Sequence, residues 1–113
     1  MVYTHNEIKL DKHSFAFDRV FGPNTQQEEV FAAVGKKLLT HTLEGYNSCI
    51  FVYGQTGSGK TFTMMGNNSG MMQRSFAELF ARIDRMADTE CIVTCSYYEL
   101  YNEQIIDLLD KTR

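Results

Sequence analysis

Several features that would assign a protein to a class are missing from this 113-residue sequence. It has no run of about 18 apolar residues that could span a membrane, and no charged-then-apolar signal segment at its start. It has no excess of basic residues either: the net charge is −3, which favours neither nucleic acid nor an acidic polymer as a partner. We therefore expect a soluble, cytosolic protein with one small domain, because a chain of this length supplies one modest core.

Signals for a disulfide framework or a metal centre are also missing. The three cysteines, Cys49, Cys91 and Cys95, form an odd set without C-x-x-C spacing. Spacing along a predicted strand places Cys91 and Cys95 roughly 13 Å apart, which is too far for a disulfide. The three histidines have no helical partner or neighbouring carboxylate. The cysteines are interpreted as small core residues in a reducing, intracellular compartment rather than as ligands.

What the sequence does contain is an apolar run that leads into a glycine-rich turn. The five residues 49–53 have no polar face, as in a buried strand of a parallel sheet. The pattern G-x-x-x-x-G-K-[ST] follows from Gly54 to Thr61, where a helix is predicted to begin. Glycines let successive N–H groups turn toward one point, and a helix N-terminus adds its own free N–H groups there. A nucleotide polyphosphate is the expected ligand, with Lys60 on the β- and γ-phosphates and the Thr61 hydroxyl on Mg²⁺.

The alternative interpretation of this stretch is a flexible Gly/Ser linker with an exposed lysine. Such a linker would not normally follow Ile-Phe-Val-Tyr directly, and the pattern is expected by chance in on the order of one such chain in several hundred. Nucleotide binding is therefore the favoured interpretation.

Before this turn, the sequence predicts a loop or frayed edge hairpin over residues 1–12 and a strand over residues 14–21. A helix is predicted to begin at Thr25, where Glu28 completes a capping box, and to end just before Gly45.

After the turn, the helix is predicted to run to residue 64 or 65 and to be broken by the run Gly66–Gly70. A second helix is predicted from its apolar stripe, which we interpret as core: Met72, Phe76, Leu79, Phe80, Ile83 and Met86. A long strand over residues 91–101, a turn at residues 102–103 and a short helix over residues 104–109 complete the prediction.

A complete nucleotide hydrolase needs more than a phosphate loop. It must sense the γ-phosphate and place the attacking water, yet no apolar run ending in Asp resembles a Walker B strand. The nearest candidate is 105–107, and polar residues precede it. The residues alone therefore predict a nucleotide-binding half without its catalytic half.

Three groups of residues resemble the kinesin motor domain. They are Phe-Asp-Arg-Val-Phe at 17–21, Leu-Glu-Gly-Tyr-Asn at 43–47 with the segment 50–66, and Ser-Tyr-Tyr-Glu-Leu-Tyr-Asn-Glu at 96–103 followed by Asp-Leu-Leu-Asp at 107–110. The likeness covers nearly the whole chain from about Phe15, in the family's order and spacing. It is much more specific than the phosphate-loop pattern alone.

The resemblance implies an α/β fold, namely part of a three-layer P-loop NTPase with central sheet strands flanked by helices, over residues 1–113 and without a second domain. It implies a cytoplasmic, cytoskeletal ATPase that couples Mg-ATP turnover to walking on microtubules or to depolymerising them. The resemblance places the microtubule-binding elements outside this chain. Phe62 matches the family position beside the adenine, although simple core packing explains that side chain about as well. The residues that the resemblance places around the nucleotide are Gly54, Gln55, Thr56, Gly57, Ser58, Gly59, Lys60, Thr61 and Phe62, with Thr61 also on the metal.

The sequence also departs from the family pattern. The R-x-R-P adenine motif, the switch I signature N-x-x-S-S-R-S-H and the switch II signature D-x-A-G-S-E are absent, so no catalytic residue is assigned here. Gln73 stands where many members have proline. We expect the parent motor to be the enzyme and this stretch alone to be inactive. The alternatives are a truncated product that binds nucleotide weakly or binds only partners, and a small P-loop kinase, for which no lid arginines or acceptor site can be identified.

Overall fold

The computed structural model describes residues 1–111, so the last two residues of the predicted 1–113 unit lie outside the described residues. Within residues 1–111, nine elements follow one another along the chain. They are β1 (Val2–Tyr3), β2 (Glu7–Leu10), β3 (His13–Ala16), α1 (Gln27–Ala33), α2 (Gly35–Leu43), α3 (Lys60–Met64), α4 (Met71–Ile83), β4 (Tyr98–Tyr101) and β5 (Gln104–Asp107).

The N-terminal strands form an antiparallel sheet in the order β1-β2-β3. The hairpin alternative predicted for residues 1–12 is therefore the observed one, and Ile8 pairs with Phe15 across it. The predicted strand over 14–21 is shorter than expected and ends at Ala16. Its side chains are exposed on both faces, so this sheet contributes little apolar burial within the described residues.

The single helix predicted between residues 25 and 44 is divided in two at Val34, which ends α1 and precedes α2. The predicted capping box is displaced by one residue: the Gln26 N–H donates to the Glu29 carboxylate at 3.1 Å. At the other end, Gly45 takes a φ of +95°, and the N–H of Tyr46 donates to the His41 carbonyl at 3.0 Å. This pattern is a Schellman motif, and it confirms the predicted helix end.

Helices α1, α2 and α4 pack together around a very small core. Phe31 and Met71, each 5% exposed, are the only buried hydrophobic residues within residues 1–111. Gly35 lies between them, with no room for a side chain beside the Phe31 ring. The predicted core stripe on α4 is only partly covered, since Phe76 and Phe80 are about half exposed. Arg82 adds a polar connection by donating to Thr40 on α2 at 2.8 Å.

The helix predicted over residues 104–109 is wrong, because residues 104–107 form strand β5. Asn102 and Glu103 both take positive φ, +49° and +60°, which is the geometry of a two-residue hairpin turn. The turn folds β5 back onto β4, so that Tyr101 pairs with Gln104. Backbone pairing therefore overrides the helical spacing of a segment too short to hold a helix alone. The long strand predicted over 91–101 is likewise reduced to β4.

The predicted central strand over residues 49–53 has no strand partner within the described residues. Phe51 and Tyr53 are 83% and 95% exposed, whereas Ile50 and Val52 are partly covered.

All three cysteines are exposed, so their prediction as core residues is wrong. The radius of gyration of 17.4 Å exceeds the roughly 13 Å expected of a compact domain of this length. Much of the apolar surface that the sequence provides thus lies open.

Candidate phosphate-binding site

The segment from Gly54 to Thr61 forms a loop that ends at the first turn of α3. Gly57 and Gly59 take φ values of +79° and +91°, which side-chain-bearing residues rarely adopt. The Ser58 N–H donates to the Gln55 carbonyl at 3.1 Å and closes a turn in the middle of the loop. The chain needs its glycines here because the turn requires left-handed backbone on both sides of Ser58.

The backbone donors of this loop are available for a ligand. Within residues 1–111, the N–H groups of Gly57, Gly59 and Thr61 have no hydrogen-bond acceptor. Gly59 is the residue before α3, so two of these donors belong to the start of that helix, where free N–H groups are normal. Such a set of unpaired amides is what an anion with several oxygens requires.

The side chain of Lys60 turns back into the loop rather than into solvent. Its Nζ donates to the carbonyl oxygens of Gly54 and Gln55, both at 2.8 Å. Lys60 is itself only partly exposed. The ammonium group is therefore held at the mouth of the loop by the loop's own backbone.

A cavity of about 360 Å³ opens beside the loop. It is lined by Thr56, Gly57, Gly59, Lys60, Thr61 and Phe62. The structure thus brings six of the nine sequence-predicted residues to one cavity. Gly54 and Gln55 lie behind it as carbonyl partners of Lys60, and Ser58 lies in the intervening turn.

Phe62 lies between this cavity and a second one of about 440 Å³. Its side chain is 59% exposed, so it does not serve as a core residue within the described chain. The second cavity is lined by Phe21, Pro23, Thr25, Gln26, Gln27, Val30, Phe62 and Thr63. An exposed aromatic ring beside two open spaces is free to stack on a flat ligand.

Two further polar side chains were not singled out for function by sequence reasoning. Gln27 on α1 donates to the Phe62 carbonyl at 2.5 Å and so joins α1 to α3. Gln73 in the first turn of α4 has a buried Oε1 that accepts no hydrogen bond from residues 1–111. No spacing rule signals a contact between residues 35 positions apart, and the Gln73 departure shows only as a difference from a family pattern.

The part of the chain that the structure describes has no group of three or more His, Cys, Asp or Glu side chains arranged to hold a metal ion. It also has no helix long and apolar enough to cross a bilayer.

Comparisons with known proteins identify similar chains. The family model described as "Kinesin motor domain" matches residues 2–113. Kinesin-like protein KIF15 of Rattus norvegicus is 48% identical over 114 residues, covering 88% of this chain. The Drosophila kinesin Kin10/NOD in complex with manganese and ADP superposes with a TM-score of 0.82 at 27% identity, covering 98% of this chain. NOD in its nucleotide-free complex with the microtubule gives a TM-score of 0.85 at 27% identity and the same coverage.

These similarities confirm the predicted fold class, an α/β fold of the P-loop NTPase type seen in kinesin motor domains. The chain spans only part of the proteins it matches: 8% of rat KIF15 and 42% of the solved NOD chain. The unpaired segment 49–53 fits this result, because the partners of a central strand need not lie within these residues.

Proposed function

Because this chain belongs to the kinesin motor domain family, we propose that it is the nucleotide-binding portion of a microtubule motor. In the complete protein, Mg-ATP hydrolysis would drive movement along microtubules. Residues 1–113 would form one partial motor domain that works in the cytoplasm on the cytoskeleton. Its microtubule contacts would lie outside this chain.

The residues present fit a nucleoside triphosphate. The free N–H groups of Gly57, Gly59 and Thr61 supply donors for phosphate oxygens, and Lys60 supplies a positive charge. The exposed Thr61 hydroxyl is the group that would contact Mg²⁺, and the exposed Phe62 ring would lie beside the adenine. A bound Mg²⁺ would neutralise phosphate charge, while the loop would orient the polyphosphate.

The observation that carries this proposal is the position of the Lys60 ammonium group. It is held at the loop by two carbonyls at 2.8 Å, beside a cavity lined by free amides. A flexible linker with a solvated lysine would show neither feature. This geometry supports an anion site whose counter-charge is already in place.

The test is nucleotide titration of Lys60→Ala with a fluorescent ATP analogue and Mg²⁺. We expect measurable affinity to be abolished, a loss of at least about a hundredfold, since Lys60 would lose contacts to both the β- and γ-phosphates, and contacts to charged groups contribute roughly 1.5–3 kcal/mol each. The matched control is Lys37→Ala, which removes the same charge from an exposed position on α2. Equal affinity in wild type and Lys60→Ala would refute the site.

A second candidate function is a piece that binds nucleotide weakly, or binds only partners, and hydrolyses nothing. It is favoured by the small core, with two buried hydrophobic residues in the described chain. Single-turnover hydrolysis by the 113-residue chain separates the two candidates. Hydrolysis above the buffer background would exclude the inert one.

A further inference from the structure

One side chain of α1 reaches the helix that follows the phosphate loop. The Gln27 Nε2 donates to the Phe62 carbonyl at 2.5 Å, and the two residues also line the same cavity of about 440 Å³. Gln27 is partly covered, whereas its neighbour Gln26 is exposed and donates within its own turn to the Asn24 carbonyl at 3.1 Å. Two adjacent glutamines therefore make one long-range and one local hydrogen bond.

The Phe62 carbonyl needs a donor from outside α3. In a continuing helix it would accept from the N–H of Gly66, four residues on. Here the N–H groups of Met65 and Gly66 both donate to the Thr61 carbonyl, at 2.8 and 3.3 Å. The Gln27 amide takes the place of the missing backbone donor, so it caps the C-terminal end of α3 from a different helix.

Helix α3 depends on such outside contacts because it has only five residues. A helix of this length is not stable by itself, since the entropy lost in nucleating it exceeds the free energy gained from the hydrogen bonds of a single turn. Lys60 and Thr61 are its first two residues, and Phe62 follows them in the same turn. Whatever fixes Phe62 therefore also fixes the two side chains that face the candidate phosphate position.

We propose that Gln27 is a positioning residue for the phosphate loop: its amide holds α3, and with it Lys60 and Thr61, in place against α1. The proposal rests on the nucleotide-binding function proposed above. It concerns how the chain orients its binding groups, and Gln27 itself need not touch the nucleotide.

The experiment compares Gln27→Leu with wild type in the full 113-residue chain by two measurements. The first is amide hydrogen exchange over residues 60–66 without nucleotide, which we expect to become roughly threefold to tenfold faster when this hydrogen bond is lost. The second is titration with a fluorescent ATP analogue and Mg²⁺, which we expect to show roughly threefold to tenfold weaker binding. Gln27→Glu should speed exchange and weaken nucleotide binding to the same extent, because a carboxylate cannot donate a hydrogen bond to a carbonyl.

Two control variants separate positioning from general stability. Gln26→Leu makes the same substitution one residue earlier and should leave exchange over residues 60–66 unchanged. Thr40→Val removes the contact between Arg82 and α2, so it should lower global stability without a local change at α3. Urea unfolding measures the global stability of both variants, so that their nucleotide affinities are compared at matched stability. A positioning role requires Gln27→Leu to weaken nucleotide binding more than Thr40→Val does in that comparison.

Each outcome decides the inference. Unchanged exchange over residues 60–66 in Gln27→Leu overturns it, whatever the nucleotide result. Faster exchange with unchanged nucleotide affinity also overturns it, since Gln27 would then stabilise α3 without affecting nucleotide binding by the loop. If wild type itself fails to bind nucleotide, the proposed function fails, and the exchange measurement still decides whether Gln27 holds α3.

Discussion

Replacing Gly35 by alanine has two opposing effects on the stability of the protein, and both effects have known sizes. Gly35 is the first residue of α2, and its backbone is outside the left-handed region, so alanine introduces no backbone strain. Intrinsic helix propensity favours alanine over glycine by up to about 1 kcal/mol. On propensity alone, Gly35→Ala should stabilise the protein.

Packing around Gly35 opposes that gain. An added Cβ would lie 2.5 Å from Cε2 of Phe31 and 3.0 Å from Sδ of Met71. Carbon atoms in good contact are separated by roughly 3.5–4.0 Å, so the Phe31 ring would have to retreat by about 1 Å. Overpacking of this kind costs roughly 1–3 kcal/mol. Because Phe31 and Met71 are the buried hydrophobic pair between α1 and α4, we expect a net loss of about 1–2 kcal/mol.

The assay is urea unfolding followed by circular dichroism at constant protein concentration, with the midpoint as readout. A Phe31→Leu background serves as the control, because a smaller side chain leaves room for the new methyl group. The cost of Gly35→Ala should shrink there by an amount that a double-mutant cycle measures. A higher urea midpoint for Gly35→Ala alone would show that propensity outweighs packing and would refute the reasoning.

Two further predictions concern α4. Gln73→Met removes a buried amide oxygen that has no partner and keeps the side-chain length, so we expect a gain of about 1 kcal/mol by urea unfolding; a lower midpoint would contradict this. The hydrogen bond from Arg82 lowers the pKa of Glu78 below its usual value, so the folded state favours the carboxylate. The stability from this pair is present above the ordinary glutamate pKa of about 4.3 and is lost as the pH falls below it. Glu78→Gln should therefore flatten the acid side of the stability–pH profile, and an unchanged profile would count against the pair.

Local signals in the sequence were sufficient for several helix ends near the phosphate loop, but they did not reveal the division of the predicted helix at Val34. The end of α2 at Gly45, the short helix after Thr61 and the break from Gly66 to Gly70 each depend on glycine, whose backbone freedom is visible in the sequence. Helix α4 begins one residue before the predicted apolar stripe, whose helical period is clear, and ends at Ile83, before the last stripe residue, Met86.

Features that depend on distant partners were not predictable in the same way. Residues 104–107 have helical spacing, but they pair with β4 because the turn before them brings the two segments together. Residues 49–53 have the composition of a buried strand, yet a strand needs a hydrogen-bonded neighbour, and none lies within residues 1–111. The exposure of Cys49, Cys91 and Cys95 has the same origin, since small apolar residues are buried only where something packs over them.

The Lys60 side chain is already fixed by its hydrogen bonds to the carbonyls of Gly54 and Gln55. These contacts determine at which step the side chain loses its conformational freedom. A lysine side chain gives up as much as about 2 kcal/mol of rotamer entropy when it is fixed in one position. In this chain that loss falls on the folding step, before any anion arrives. An incoming polyphosphate would therefore meet a cation that is already immobilised, and more of its attraction to that charge would remain as affinity.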